Sequence, residues 1–224
     1  MIKKLIIIGA GGDGRNVAEI VESMSEKLDI VGFLDDDAKK LNTLINGIPV
    51  IGTTSDINKF KDCYFIVMVG NPSTLFNKKM LINNLNINPK KFIKLIHPKA
   101  TVSKHAKIGY GSVILSGSTI MANAIIGNHC YVASNVNVGH DTIVDDYAFI
   151  APLVGVPGNV KIEEGAYLGL SACIKGDLTI GKWAIVGMGS VVTKDIQPYH
   201  VVAGNPARVI RKCDVFDFEE IRLK

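Results

Sequence analysis

The sequence predicts two units of different class: a Rossmann-like α/β module over residues 1–92, then an all-β solenoid of triangular section over 93–212, with a short charged tail at 213–224. Three observations predict it. Aliphatic residues recur at every sixth position from Ile96 to Val192. Residues 1–92 instead alternate short apolar runs with amphipathic stretches of helix length. The first of those runs ends in a glycine-rich loop, Gly9-Ala10-Gly11-Gly12-Asp13-Gly14.

A step of six from Ile96 meets Val102, Ile108, Ile114, Ile120, Ile126 and so on to Val186 and Val192, each an Ile, Val or Leu. The residue two places earlier is usually small, as at Ala106, Ser112, Ala124, Cys130, Thr142 and Ala166. Glycine often follows the aliphatic, as at Gly109, Gly127, Gly139, Gly169, Gly181 and Gly187. A period of six fits neither a 3.6-residue helix nor a free-running strand alternation. It fits a stacked repeat in which each unit is a short strand and a corner. The aliphatic fills the bore, the small residue fits the corner, and glycine relieves backbone crowding. Three units make one coil of about 18 residues, and about five coils at roughly 4.8 Å each give a prism about 26 Å tall.

In the first unit, Lys3–Ile8 reads as a buried strand and Arg15–Ser23 as a helix. A second strand, Ile30–Leu34, ends at Asp35-Asp36-Asp37; a third, Cys63–Val69, ends at Gly70-Asn71 and precedes an amphipathic stretch, Leu75–Leu85. Gly9, Gly11 and Gly14 satisfy G-x-G-x-x-G after a strand, with Asp35 further on. That pattern places helix N-terminal amides against a pyrophosphate and an acid against a ribose hydroxyl. The module is too short for a complete NAD domain. A nucleoside-diphosphate sugar carries the same pyrophosphate and ribose, and a tight strand-to-helix turn alone also asks for glycines.

Composition narrows the class. The chain has 224 residues, 25 Lys and Arg against 21 Asp and Glu, and a net charge of +4. So small and dispersed an excess makes no case for nucleic acid. No apolar run approaches the roughly 20 residues of a membrane span. The four cysteines, Cys63, Cys130, Cys173 and Cys213, form no CxxC pair. Free thiols in a cytoplasmic protein are expected, and the five histidines lack the spacing of a zinc site, so no metal is expected.

The six-residue run resembles that of the hexapeptide-repeat acyltransferases, whose left-handed parallel β-helices mostly work as homotrimers. The glycine loop, Phe33-Leu34-Asp35-Asp36, Val69-Gly70-Asn71 and the uninterrupted repeat together resemble one subfamily. It comprises the nucleotide-linked 4-amino-sugar N-acetyltransferases of bacterial glycan synthesis and the sialic acid O-acetyltransferases. The resemblance implies a nucleotide sugar held by Gly11, Gly12, Asp13, Asp35, Asp36 and Gly70, and acetyl-CoA as the second substrate. Asp13 departs from the histidine often found at its place.

His140-Asp141 follows Val138-Gly139 inside the repeat, where the phase puts the residue after glycine outside the packed bore. Acetyl transfer to an amine asks for a group that takes the amine proton, donors for the developing oxyanion, and a proton for the leaving thiolate. Imidazole, with an ordinary pKa of about 6.5, suits the first task. The resemblance implies His140 as base, Asp141 as the acid that strengthens it, and Gly158 of Pro157-Gly158-Asn159 as oxyanion donor. It also implies Gly169, Leu170, Gly187 and Met188 along the pantetheine arm and Arg208 near the coenzyme phosphates. Phe149 stands where the family commonly has a histidine that meets coenzyme A, leaving an apolar contact there. Transfer is expected to be direct, although the sequence leaves Cys130 open as a covalent nucleophile. Transfer to a sugar hydroxyl, or a non-catalytic trimer that senses a nucleotide, are the alternatives.

Overall fold

The computed structural model describes residues 2–24, 28–69 and 75–213. In the α/β unit, β1 (Lys3–Ile8) leads through the glycine loop into α1 (Gly12–Ser23). There follow β2 (Leu28–Leu34), a hairpin of β3 (Leu44–Ile45) and β4 (Ile48–Gly52), β5 (Tyr64–Val67) and α2 (Leu75–Asn84). The sheet order is β3-β4-β2-β1-β5, parallel except for the hairpin. Leu5, Ile6, Ile7 and Ile8 are all fully buried because β1 lies inside the sheet with both faces covered. Gly14 is what lets α1 lie down on β1: a Cβ there would collide with the Gly9 carbonyl oxygen. The hairpin was not expected, yet its signal is in the chain. Asn46 and Gly47 both take positive φ (50° and 81°), the backbone that an Asn-Gly pair favours between two strands.

The second unit is the expected prism. Two-residue strands form three parallel sheets along its faces, and each strand pairs with the one eighteen residues on, as Thr119 with Asn137 and Asn137 with Gly155. The first face carries the strands from Thr101–Val102 to Val191–Val192, the second those from Lys107–Ile108 to Thr179–Ile180. The third begins at Leu95–Ile96 and ends with the antiparallel pair His200–Ala203 and Arg208–Lys212. The second residue of each strand points into the bore, and Ile114, Val138, Ile150 and Val186 are among those wholly shielded. The small corner residues are buried with their polar atoms satisfied. Ser112 Oγ donates to the Gly127 carbonyl (2.7 Å), Ser118 Oγ to Ala133 and Thr142 Oγ1 to Pro157. Small size explains why Ser, Thr, Ala and Cys share this place, and Ser, Thr and Cys add a bond to the next coil.

The glycine after the aliphatic relieves crowding as expected: at Gly139, a Cβ would strike the Pro157 backbone of the next coil. The left-handed residue comes two places later, at Asn123, Asp141, Asn159 and Asp177 on one edge and His129, Tyr147 and Trp183 on another. Asn and Asp tolerate that conformation well; the aromatic residues are held in it by the stack.

The α/β unit covers the third face. Leu95, Val113, Leu115, Tyr131 and Ala133 share one buried cluster with Leu5, Ile7, Val17, Ile20 and Val21. α2 lies over the edge between the second and third faces, where Phe76 meets Trp183 edge-on and Lys79 pairs with Glu164. Lys78 is buried there, its ammonium donating to the His129 carbonyl at 2.9 Å. Burial lowers its pKa from 10.5 to about 8, against weaker opposing pulls from Cys130 and Asp13. Between those two values the unfolded chain binds the proton and the folded chain does not. Stability therefore rises with pH across that window, by about 3 kcal/mol from this group, and the contribution is flat below it. In Lys78→Met, denaturant unfolding at a series of pH values is expected to lack this rise, with stability near neutrality equal to or above that of the parent.

Candidate active site

The edge between the first and second faces carries the expected pair, His140 and Asp141. A glycine at 139, forced by the stacking of the next coil, ends the strand and turns the chain outward. His140 then projects from the edge, its side chain 57% exposed. Asp141 takes φ 57°, which swings its carboxylate back beside the ring. His140 Nδ1 and Asp141 Oδ2 lie 2.8 Å apart. The Asn123 amide hydrogen bond, then the His140 ring, hold the Asp141 carboxyl below the usual range, so it is ionised and only accepts. Nδ1 therefore carries the hydrogen, and Nε2 presents its lone pair.

Gly158 sits on the next coil of the same edge, directly against the imidazole. A Cβ there would fall 2.6 Å from His140 Cε1 and 2.7 Å from Nε2. Asn159 N–H donates to the His140 carbonyl at 3.0 Å, which fixes the turn. Among the described residues, the Gly158 N–H finds no backbone acceptor. A base with a free lone pair beside an unspent amide is what acyl transfer asks for. Cys130 is no rival: its thiol is wholly buried, donates to the Asp145 carbonyl and is pushed by burial up to about 12. His129 is buried among Phe92, Tyr110 and Tyr147, also away from chemistry. Among the described residues no group of three or more His, Cys, Asp or Glu side chains is placed to hold a metal ion.

The glycine loop forms an open cradle. Gly11 precedes α1 without any side-chain cap, and both Gly11 and Gly12 face open space, so the amides of the first helical turn remain for an anion. The acids expected beside it are spent within the chain. Asp35 Oδ2 accepts from Ala10 N–H (2.8 Å) and Lys40 Nζ (3.0 Å), and Oδ1 from Asp37 N–H. Burial alone would raise its pKa, but those bonds outweigh it and the carboxyl sits low. Asp35 is the brace that shapes the loop. Asp36 accepts from Thr54 N–H and Thr54 Oγ1 and anchors the short helix at Thr54–Phe60. Asp13 turns away from the cradle and accepts from Tyr131 Oη at 3.0 Å, tying α1 to the third face. Its charge thus points at the domain contact, which removes the repulsion that an acid beside a pyrophosphate would cause. Gly70 lies outside the described residues.

The residues expected along the coenzyme divide. Gly169, Leu170, Gly187 and Met188 lie on the edge between the third and first faces, with Leu170 44% and Met188 77% exposed. Gly169 and Gly187 are required by stacking: a Cβ at 169 meets the Met188 backbone, and one at 187 meets Ala203. Arg208 is exposed at the start of the last strand. Phe149 lies on the third face, stacked between Tyr131 (4.8 Å) and Tyr167 (5.2 Å) and partly buried against the apolar cluster that this face shares with the α/β unit. Nothing in the sequence repeat distinguishes an outward residue on a covered face from one on an open face.

Within one chain these parts do not converge. His140 stands on the edge opposite the third face, and the cradle belongs to the unit that covers that face.

Residues 4–77 match the family model described as the PglD N-terminal domain. The chain is 36% identical over 120 residues to UDP-N-acetylbacillosamine N-acetyltransferase from Bacillus subtilis (strain 168), a match spanning about half of each (51% and 52%). It superposes on the acetyltransferase domain of PglB from Neisseria gonorrhoeae FA1090, in complex with acetyl coenzyme A, with a TM-score of 0.83. Identity there is 31%, over 94% of this chain and 100% of that one. PerB from Caulobacter crescentus, in complex with CoA and GDP-perosamine, gives 0.83 at 25% identity over 94% and 99%. WeeI from Acinetobacter baumannii AYE gives 0.79 at 30% over 93% and 100%.

Proposed function

The chain belongs to the hexapeptide-repeat, left-handed β-helix acyltransferases, and on that premise we propose that it moves acetyl from acetyl-CoA to the amine of a nucleotide-activated 4-amino-4,6-dideoxy sugar. The step belongs to bacterial glycan synthesis. The observation that carries the proposal is the His140–Asp141 pair, with a fixed tautomer and an exposed Nε2 on the edge of the prism. The amine nitrogen attacks the thioester carbonyl, and Nε2 takes the amine proton as the C–N bond forms. The Gly158 N–H stabilises the charge that develops on the carbonyl oxygen. The C–S bond then breaks, and the imidazolium returns a proton to the leaving thiolate. No acyl-enzyme forms.

The nucleotide end lies at Gly11 and Gly12, with Asp35 and Asp36 holding the loop in shape. The apolar edge of Leu170 and Met188 suits the pantetheine arm, Gly169 and Gly187 letting it lie close, and Arg208 suits the coenzyme phosphates. Base and cradle come from different protomers of a homotrimer, because one chain holds them on opposite sides. The first face supports such packing: its outward residues, Thr119, Asn137, Gly155, Cys173 and Val191, are uncharged and mostly small. Cytoplasmic action fits a substrate built from coenzyme A and a nucleotide; among the described residues no helix is long and apolar enough to cross a membrane.

The test is to offer acetyl-CoA with a panel of nucleotide 4-amino sugars and follow release of free thiol. Turnover with at least one member is expected. Turnover only with free hydroxyl sugars would replace this substrate class by O-acetylation; binding without turnover would leave a sensor.

A further inference from the structure

We infer that Asn123 is a positioning residue for the base, acting through Asp141; this rests on His140 being the base. Asp141 is about half exposed, at 48%, and its carboxylate on a bare edge would rotate and exchange His140 for water. Asn123 prevents this. It occupies the same place one coil below, with φ 60° against 57° for Asp141, so the two side chains stack. Asn123 Nδ2 donates to Asp141 Oδ1 at 3.0 Å while Oδ2 faces His140. The amide has one acceptable orientation, because its own oxygen turned toward a carboxylate would be repelled. The Asp141 backbone N–H is held in turn by the Ala122 carbonyl, so both coils are locked together at this turn.

The bond is confined to the coil that carries His140. His105, Asn159 and Asp177 continue the same column, and among the described residues none of them bonds side chain to side chain along it. An Asn-to-Asp bond between successive coils also links Asn128 to Asp146 on the neighbouring edge; among the described residues of this column it forms only at the turn that carries His140. The titratable members of the column, His105 and Asp177, stand two coils away, about 10 Å, where screening leaves the field at Asp141 to its direct partners. Each carboxylate oxygen thus has one donor, and the acid is aimed before any substrate arrives.

The test uses Asn123→Ala and Asn123→Gly, the second keeping the left-handed backbone comfortable so that strain is separated from loss of the amide. In the full-length protein, ring ¹⁵N shifts of His140 report the tautomer with no substrate present. The expected result is a shift from the Nδ1–H form toward a mixture in both variants, a kcat about tenfold lower and an unchanged KM. Asn123→Gly placed on Asp141→Asn is expected to add nothing. An unchanged tautomer in both variants, or a loss that multiplies in full with that of Asp141→Asn, would overturn the proposal. If the tautomer shifts while turnover stays put in both Asn123→Gly and His140→Ala, positioning stands and the assignment of the base fails.

Discussion

Replacing His140 with alanine is expected to lower kcat by about 10²- to 10⁴-fold while leaving the affinity for acetyl-CoA nearly unchanged. The ring is exposed and its removal uncovers no core, so the thermal midpoint should hardly move. The loss is in chemistry. The attacking amine nitrogen cannot be relieved of its proton by the remaining edge residues, since Asp141 is held ionised by Asn123 and its pKa lies too low to act as an effective base near neutrality. Residual turnover above the uncatalysed rate should survive through alignment and the Gly158 amide. Single-turnover thiol release measures the chemical step. Near-parental rates in a folded variant would remove His140 from the mechanism.

Gly158→Ala is expected to be the second most damaging change at this edge, lowering kcat about 10²-fold. The new methyl would overlap Cε1 and Nε2 of His140, the far end of a side chain that can swing away. The fold therefore escapes the clash at small cost, and the base does not. A displacement of about 1 Å between base and nucleophile is enough for a loss of this size. Circular dichroism melts should stay within a few degrees of the parent, which distinguishes a misplaced imidazole from a damaged prism. An Ala variant with unaltered kcat would show that ring position at Gly158 is not critical.

The prism was legible because its bore selects one residue in six. Ile96 to Val192 all face the same packed column, so burial writes itself directly into the sequence. His140 and Asp141 were legible for a related reason: a His-Asp pair just after a stacking glycine falls outside that column. Contacts made by distant residues were not. Asp13 and Tyr131 are 118 positions apart, and nothing local in Gly11-Gly12-Asp13 says that the carboxylate turns toward the prism. Phe149 occupies the same repeat position as Asn137 or Ile143; only the docking of the α/β unit on the third face makes it a stacked, half-buried ring. Asp35 and Asp36 read as ligands because an acid after the second strand of such a module often meets ribose. Their bonds to Ala10 and Thr54 depend on how the loops return.

The most direct measurement mixes two defective chains. Gly12→Glu keeps α1 intact, since position 12 faces open space and an acid in the first turn suits the helix dipole, but it sets a negative charge in the cradle proposed for the pyrophosphate. His140→Ala leaves that cradle whole and removes the base. Each variant alone should turn over at no more than about a hundredth of the parental rate. Co-expressed in equal amounts, they should form trimers in which about a quarter of sites pair an intact base with an intact cradle from the neighbour, restoring about that fraction of parental turnover. No recovery in verified mixed trimers, or a protein that sediments as a monomer with full activity, would contradict a site shared between protomers.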